Sequence, residues 1–116
     1  MLLTLIPKVF YADIQVGLDL FVRGLGFELL YQDPSISVLG RDGAKVYLME
    51  NAAMAALDRP ELAIETDDIE QIYAEVQARA PELLHPNAGV VRLRPWGAKE
   101  FAVLDATTVC VVFRQW

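Results

Sequence analysis

The chain has 116 residues, of which 54% are hydrophobic, and its 16 acidic and 10 basic side chains give a net charge of −6 at pH 7. This length fits one domain with a core of its own, and the acidic charge disfavours partners such as nucleic acid or anionic membranes. The sequence has no run of about 18 apolar residues that could span a membrane. A lone cysteine cannot form an internal disulfide, so we expect a soluble cytoplasmic protein in which Cys110 is a buried, inert thiol.

The first predicted elements are a strand and an amphipathic helix. Asp13 is a good N-cap for this helix, and Gly24 and Gly26 are predicted to end it. Strand-forming sequence follows, interrupted by Asp42-Gly43, which is a strong hairpin signal. This half of the chain is therefore predicted to run strand, helix and about three strands.

The second half repeats this order. An Ala-rich segment, residues 51–61, is predicted to be a linker or a short helical turn. A strand then leads into a second helix, for which Asp67 and Glu70 form a start resembling a capping box and Pro81 marks the end. The remaining sequence is again typical of strands.

Segments 8–30 and 62–84 are similar in pattern, and both end in the letters ELL. Such a repeat predicts two related modules, one over about residues 1–57 and the other over about residues 58–116, in a single domain. We expect an α+β fold in which two βαβββ modules form a curved mixed sheet. The helices should cover one face of the sheet and leave the other free for a ligand or a partner.

The stretch RPWGAKEFAVLD, residues 94–105, places Trp96 in a turn between proline and glycine. A large ring at such a place either covers the core or forms part of a binding surface. Just before it, Arg92 and Arg94 alternate with apolar residues and should project from one strand face. They are either a solvated edge that discourages strand pairing or a site for an anionic ligand.

Together, the letters LGFELL, LAIETDDI and above all PWGAKEFAVLD resemble the glyoxalase, bleomycin resistance and extradiol dioxygenase superfamily, the vicinal oxygen chelate proteins. The closest resemblance is to the bleomycin resistance proteins. It implies a homodimer with ligand clefts shared between subunits, in which Trp96 stacks on a flat ligand. The implied ligand-binding residues are Trp96, Arg94, Tyr47, Phe101, Tyr11 and Ile36, the last standing where an aromatic side chain would be expected.

Enzymes of this superfamily hold a metal through His, Gln or Glu side chains of the module strands. The matching places in this chain are Ile6 or Pro7, Glu61 and Val112, with Glu50 as a further carboxylate at a strand end. Only Glu61 and Glu50 could coordinate, which is a poor catalytic metal site. The sequence therefore argues against the metalloenzyme branch, and no metal or other cofactor is expected.

The leading hypothesis is a metal-free binding protein that sequesters a flat or hydrophobic compound, a cationic one included, in a cleft at the dimer interface. The alternative is a metal-dependent lyase, isomerase or dioxygenase that uses Glu61, Glu50 and His85. His85 follows the second helix in the loop LLHPN and is interpreted as a surface turn residue. The alternative interpretation is that it acts as a general base. A third hypothesis is a diverged scaffold with closed pockets.

Overall fold

A computed structural model describes residues 1–116. The chain forms two compact units, Met1–Asp58 and Arg59–Trp116. No helix is both long enough and apolar enough to cross a membrane.

The first unit has a four-stranded sheet in the order β1-β4-β3-β2, in which β1 is parallel to β4 and the other pairs are antiparallel. Its elements in chain order are β1 (Lys8–Tyr11), α1 (Ile14–Leu18) with a π-helical continuation (Asp19–Gly24), β2 (Glu28–Gln32), β3 (Ile36–Arg41), β4 (Ala44–Glu50) and α2 (Ala52–Ala55). The Asp42-Gly43 hairpin between β3 and β4 is confirmed, with Asp42 at a φ of 51°. The short helix α2 is the helical turn predicted between the modules.

Helix α1 begins where the sequence predicts. The Asp13 side chain accepts a hydrogen bond from the Gln15 N–H at 3.0 Å, which confirms the N-cap. The helix then packs closely against β1, because a Cβ at Gly17 would lie only 2.6 Å from the Tyr11 ring. Tyr11 is fully buried in this contact. Its ring is therefore part of the core of the first unit, and the ligand-wall role expected for it stays a prediction.

The second unit repeats the arrangement, with strand order β5-β8-β7-β6 and β5 parallel to β8. Its elements are β5 (Glu61–Glu65), α3 (Ile69–Arg79), a 3₁₀ turn (Pro81–Leu83), β6 (Arg92–Leu93), β7 (Lys99–Leu104) and β8 (Cys110–Gln115). The α+β class and the βαβββ order of both modules are confirmed. Hydrogen bonding between strands stays within each module, so there are two four-stranded sheets instead of one continuous sheet.

Helix α3 starts one residue later than predicted. Asp68, and not Asp67, is the N-cap, and its carboxylate accepts a hydrogen bond from the Gln71 N–H at 3.2 Å. The Thr66 hydroxyl accepts one from the Asp68 N–H, which shapes the turn before the helix. The helix ends at Arg79 before Pro81, as predicted, because proline cannot continue the hydrogen-bonding pattern.

Helix α3 covers one face of the second sheet through an aromatic cluster. The Phe101 and Phe113 rings stack with their centroids 5.2 Å apart, and the Tyr73 ring of α3 meets Phe101 edge-on at 5.3 Å. Burying such rings stabilises the unit by about 2 kcal/mol each. Since side chains alternate along a strand, the residues next to Phe101 on β7 and next to Phe113 on β8 point to the face of the sheet opposite α3.

Candidate functional site

The face of the second sheet opposite α3 forms the floor of a cavity of about 340 Å³. Every residue that lines it belongs to the second unit. They come from all four strands, from the loop before β6 and from the turn between β6 and β7. The sheet contributes Glu61, Arg92, Glu100, Phe101, Ala102, Cys110, Val112 and Arg114, and the loop and turn contribute His85, Asn87, Ala88, Val90, Arg94 and Trp96.

A row of charged residues with alternating sign crosses the sheet at one end of the cavity. Strand register places Arg92 beside Glu100, Glu100 beside Arg114, and Arg114 beside Glu65. Cross-strand neighbours of opposite charge attract, so the row favours this register. The closest contact in it is between Arg114 Nε, which donates, and Glu100 Oε2 at 2.6 Å.

Trp96 projects from the turn above this row. Its side chain is half exposed, at 53%, and its indole N–H donates to Glu100 Oε2 at 2.8 Å. The Arg94 guanidinium lies 5.4 Å from the centre of the indole ring, within cation–π range. Gly97 has a φ of +97°, a conformation that glycine adopts easily, and its N–H closes the turn on the Arg94 carbonyl at 2.9 Å. The Trp96 ring is therefore fixed in orientation by Glu100 and Arg94 and accessible beside the cavity. It does not cover the core.

Glu100 connects the aromatic and the charged parts of the site. Only 10% of its side chain is exposed, and it lies 3.9 Å from Arg94 Nε in addition to its contacts with Arg114 and Trp96. Burial acts to raise the pKa of this carboxyl, but the hydrogen bonds from Arg114 and Trp96 and the charges of the two arginines outweigh it and lower the pKa below its usual 4.5. Glu100 is thus ionised at neutral pH and holds its partners as an anion.

The middle of the floor is formed by small, mostly apolar side chains, those of Ala102, Val112 and Cys110. Cys110 is half-buried, which corrects the prediction of a buried thiol, because β8 turns this residue toward the cavity. Its Sγ lies 3.9 Å from Glu61 Oε1. Burial, followed by the charge and hydrogen bonding of Glu61, raises the pKa of the Cys110 thiol, so it stays protonated at neutral pH, consistent with the predicted low reactivity.

The loop from His85 to Val90 forms one wall. The His85 N–H donates to the Ala102 carbonyl at 2.9 Å, and the Ala102 N–H donates to the Ala88 carbonyl at 2.8 Å, so the loop pairs with β7 beyond the end of β6. His85 Nδ1 also accepts from the Asn87 N–H at 3.0 Å. His85 is thus a turn residue, as interpreted from the sequence, and in addition it faces the cavity.

The structure brings together only some of the predicted ligand-binding residues. Trp96, Arg94 and Phe101 line this cavity, although Phe101 is 1% exposed and serves mainly as a core residue against α3. Tyr47 and Ile36 are half-buried on β4 and β3 of the first unit, and therefore line no part of it.

Glu100, Arg114 and the loop residues of the wall were not predicted from the sequence. The alternation along β7 and β8 could have pointed to them. Phe101 and Phe113 mark the core-facing side, so Glu100 and Arg114 had to share the opposite face with the predicted arginines. The wall could not be found in this way, because its position depends on hydrogen bonds between the loop and β7.

No protein-family model and no curated protein sequence matches the chain. Solved structures do match. A bleomycin-binding protein complexed with bleomycin has a TM-score of 0.80 at 17% identity, covering 97% of this chain and 98% of that one. The bleomycin-binding protein of Streptomyces verticillus complexed with copper(II)-bleomycin has a TM-score of 0.76 at 22% identity, covering 97% and 95%. The chain has the fold of the bleomycin-binding proteins. A lactoylglutathione lyase from Agrobacterium tumefaciens shares this fold, with a TM-score of 0.72 at 11% identity and coverage of 97% and 92%.

The two carboxylates considered as metal ligands belong to different units of the chain. Glu50 ends β4 of the first unit, where its Oε2 accepts from the Ile14 N–H at 3.0 Å at the start of α1. Glu61 lies at the cavity of the second unit, and Val112, which also lines it, cannot coordinate a metal. No group of three or more His, Cys, Asp or Glu side chains is arranged to hold a metal ion. The donor set at the cavity does not fit a catalytic metal.

Proposed function

We propose that the protein binds a small, flat or hydrophobic molecule in the cavity of its second unit, without a metal and without chemical conversion. The observation that carries this proposal is Trp96, an accessible indole whose N–H is fixed by Glu100 at the mouth of a cavity with a small apolar floor. An aromatic side chain held in one orientation offers a stacking surface at little cost in conformational entropy.

The dimensions of the cavity support a small ligand. At about 340 Å³ it lies near the lower end of the range typical of small-molecule sites. Its floor of Ala102, Val112 and Cys110 has no large side chain projecting into it, so a flat ring system can approach the sheet. Charged and polar groups lie in the charged row, in the loop wall and at Glu61 on β5, where they can orient a ligand.

The chemistry of the lining residues supports binding rather than catalysis. The Glu100 carboxylate is occupied by Arg114 and Trp96, which leaves it poorly suited to proton transfer. The Cys110 thiol has a raised pKa and is therefore a weak nucleophile at neutral pH. Two of the proteins with this fold are described as complexed with bleomycin, which agrees with a binding role.

We further propose that the protein is a cytoplasmic homodimer of the bleomycin resistance type, whose ligand is a small molecule and not a nucleic acid. In this proposal the cavity opens to a cleft at the dimer interface. The single cysteine supports a reducing compartment, and the net charge of −6 disfavours nucleic acid.

The proposal is tested by calorimetric titration with neutral flat aromatic compounds, with 2-naphthamide as the reference probe. We expect Trp96→Ala to weaken binding by about fivefold, the usual contribution of one stacking partner. Trp116→Ala is the matched control, because Trp116 is also an exposed tryptophan, at 69%, but lines no part of the cavity. Equal affinities for the wild type and both variants would contradict the proposal.

Metal independence is tested by repeating the titration after extensive dialysis against a chelator. We expect the affinity for 2-naphthamide to stay unchanged, because the cavity offers no metal-ligand set. A loss of binding that returns on addition of a divalent ion would favour the metal-dependent alternative.

A further inference from the structure

The cavity has a charge balance opposite to that of the whole chain. Three guanidinium groups line it, those of Arg92, Arg94 and Arg114, against the two carboxylates of Glu61 and Glu100. The chain as a whole has a net charge of −6. A ligand that enters this cavity therefore meets a local excess of positive charge, and the local charges decide which groups it can bind.

The positive charge is concentrated at one end. Glu100 is mainly engaged by Arg114, at 2.6 Å, and only loosely by Arg94, at 3.9 Å. Arg92 lies next to Glu100 in the strand register, but its guanidinium makes no hydrogen bond or ion pair. Arg92 and Arg94 thus retain most of their donor capacity.

The second carboxylate of the cavity lining, that of Glu61, is too far from Arg92 and Arg94 to neutralise them. Glu61 is on β5, at the opposite edge of the sheet from Arg92 on β6. Three strand spacings separate the two edges, which is about 14 Å. At this distance solvent and salt screen most of the attraction between exposed charges.

We propose that the ligand of this cavity is an aromatic compound with an anionic group, of which an aromatic carboxylate is the simplest case. Its ring lies against Trp96, and its carboxylate accepts hydrogen bonds from the guanidinium groups of Arg92 and Arg94. This inference rests on the proposed function and specifies the ligand class of the same site. It departs from the cationic ligand that the net charge of the chain favours.

The arrangement gives a role to the two arginines that precede the tryptophan in the chain. A guanidinium can bind a carboxylate through two parallel hydrogen bonds, which fixes the orientation of the ligand as well as adding attraction. Trp96 stands two residues beyond Arg94 and four beyond Arg92, so the stacking surface and both donors come from one short segment.

The experiment compares three probes that share one ring system: 2-naphthoate, 2-naphthamide and 2-naphthylmethylammonium. Each is titrated calorimetrically into the wild-type protein. We expect 2-naphthoate to bind about fivefold more tightly than the amide, the size expected of a partly exposed charged contact, and the ammonium compound to bind most weakly. The preference should decrease as the salt concentration is raised.

Variants assign the preference to its residues. Arg92→Gln should reduce the ratio between the carboxylate and amide affinities to nearly one, and Arg92→Lys should restore part of it. Arg79→Gln removes the same charge from the exposed end of α3, outside the cavity, and should leave the ratio unchanged. Because the Arg92 side chain has no partner in the structure, its removal should leave the fold intact, which circular dichroism checks.

Equal affinity for the carboxylate and the amide, or tightest binding of the ammonium compound, would overturn this inference while leaving the proposed function intact. The inference would also fail if Arg92→Gln and Arg79→Gln changed the ratio equally. If none of the three probes binds, the proposed function fails together with it.

Discussion

At the scale of single residues, the site depends on one carboxylate. Glu100 accepts from both Trp96 and Arg114 and is nearly buried between them. A buried charge is tolerated only when it is paired and hydrogen-bonded, and removing it would leave the Arg114 guanidinium without its main partner.

Trp96 could be predicted from the sequence because its place in a turn is visible there. Its partner could not, because the hydrogen bond between them depends on the register of β6, β7 and β8.

Glu100→Gln should lower the free energy of unfolding at neutral pH by about 1 to 2 kcal/mol, since it keeps an acceptor but loses the charge. The folded-state pKa of Glu100 is lowered, so its stabilisation is fully present above the unfolded-state pKa near 4.5 and is lost as the pH falls through the lower folded-state value. Urea unfolding at several pH values measures this. The difference between wild type and variant should shrink as the pH falls below about 4.5, and a difference that stays constant in acid would contradict this role.

At the scale of elements, the sequence predicted helices and hairpins better than short strands. Asp13 and Pro81 mark helix ends through local chemistry, and both predictions are confirmed. The Asp67 prediction was wrong by one residue because two adjacent aspartates can both serve as caps, and the Thr66 hydroxyl bond selects Asp68. The two-residue strand β6 has no periodic signal of its own and is defined only by its pairing with β7.

The close packing of α1 on β1 gives a prediction for this pair of elements. Gly17→Ala should destabilise the protein by about 1 to 2 kcal/mol, because the added Cβ would lie 2.6 Å from the Tyr11 ring and 2.9 Å from Leu48 Cδ1, both on fully buried side chains. This penalty exceeds the gain of up to about 1 kcal/mol that alanine gives in a helix. Gly43→Ala is the control, since nothing lies within 4 Å of its added Cβ. Thermal unfolding compares the two, and equal stability would refute the steric argument.

At the scale of the whole molecule, the internal repeat was sufficient to predict the α+β class and the two βαβββ modules. The cavity was not predictable as such, because it combines β5 with three strands that follow much later in the chain, and with a loop that joins β7 only through tertiary hydrogen bonds. Net charge was also a poor guide, since the −6 of the chain conceals a local excess of arginine at the site. Dimerisation stays a prediction.

Exposed apolar side chains support the predicted dimer. Edge strand β2 presents Leu29, Leu30 and Tyr31, each about half exposed, and such an edge favours association with another chain. We expect light scattering at micromolar concentration to give the mass of a dimer. Leu29→Lys should shift the population toward the monomer, while Leu57→Lys, at an exposed position outside the strands, should not. A monomeric wild-type protein would rule out a binding cleft shared between subunits.

The central claim is that Trp96 contacts the ligand, and its own fluorescence tests this most directly. The chain has two tryptophans, so Trp116→Phe leaves Trp96 as the only indole. Titration of this variant with 2-naphthoate should change the tryptophan emission in a saturable way, with the same dissociation constant that calorimetry gives. An emission that stays constant while calorimetry shows the site filling would contradict the account.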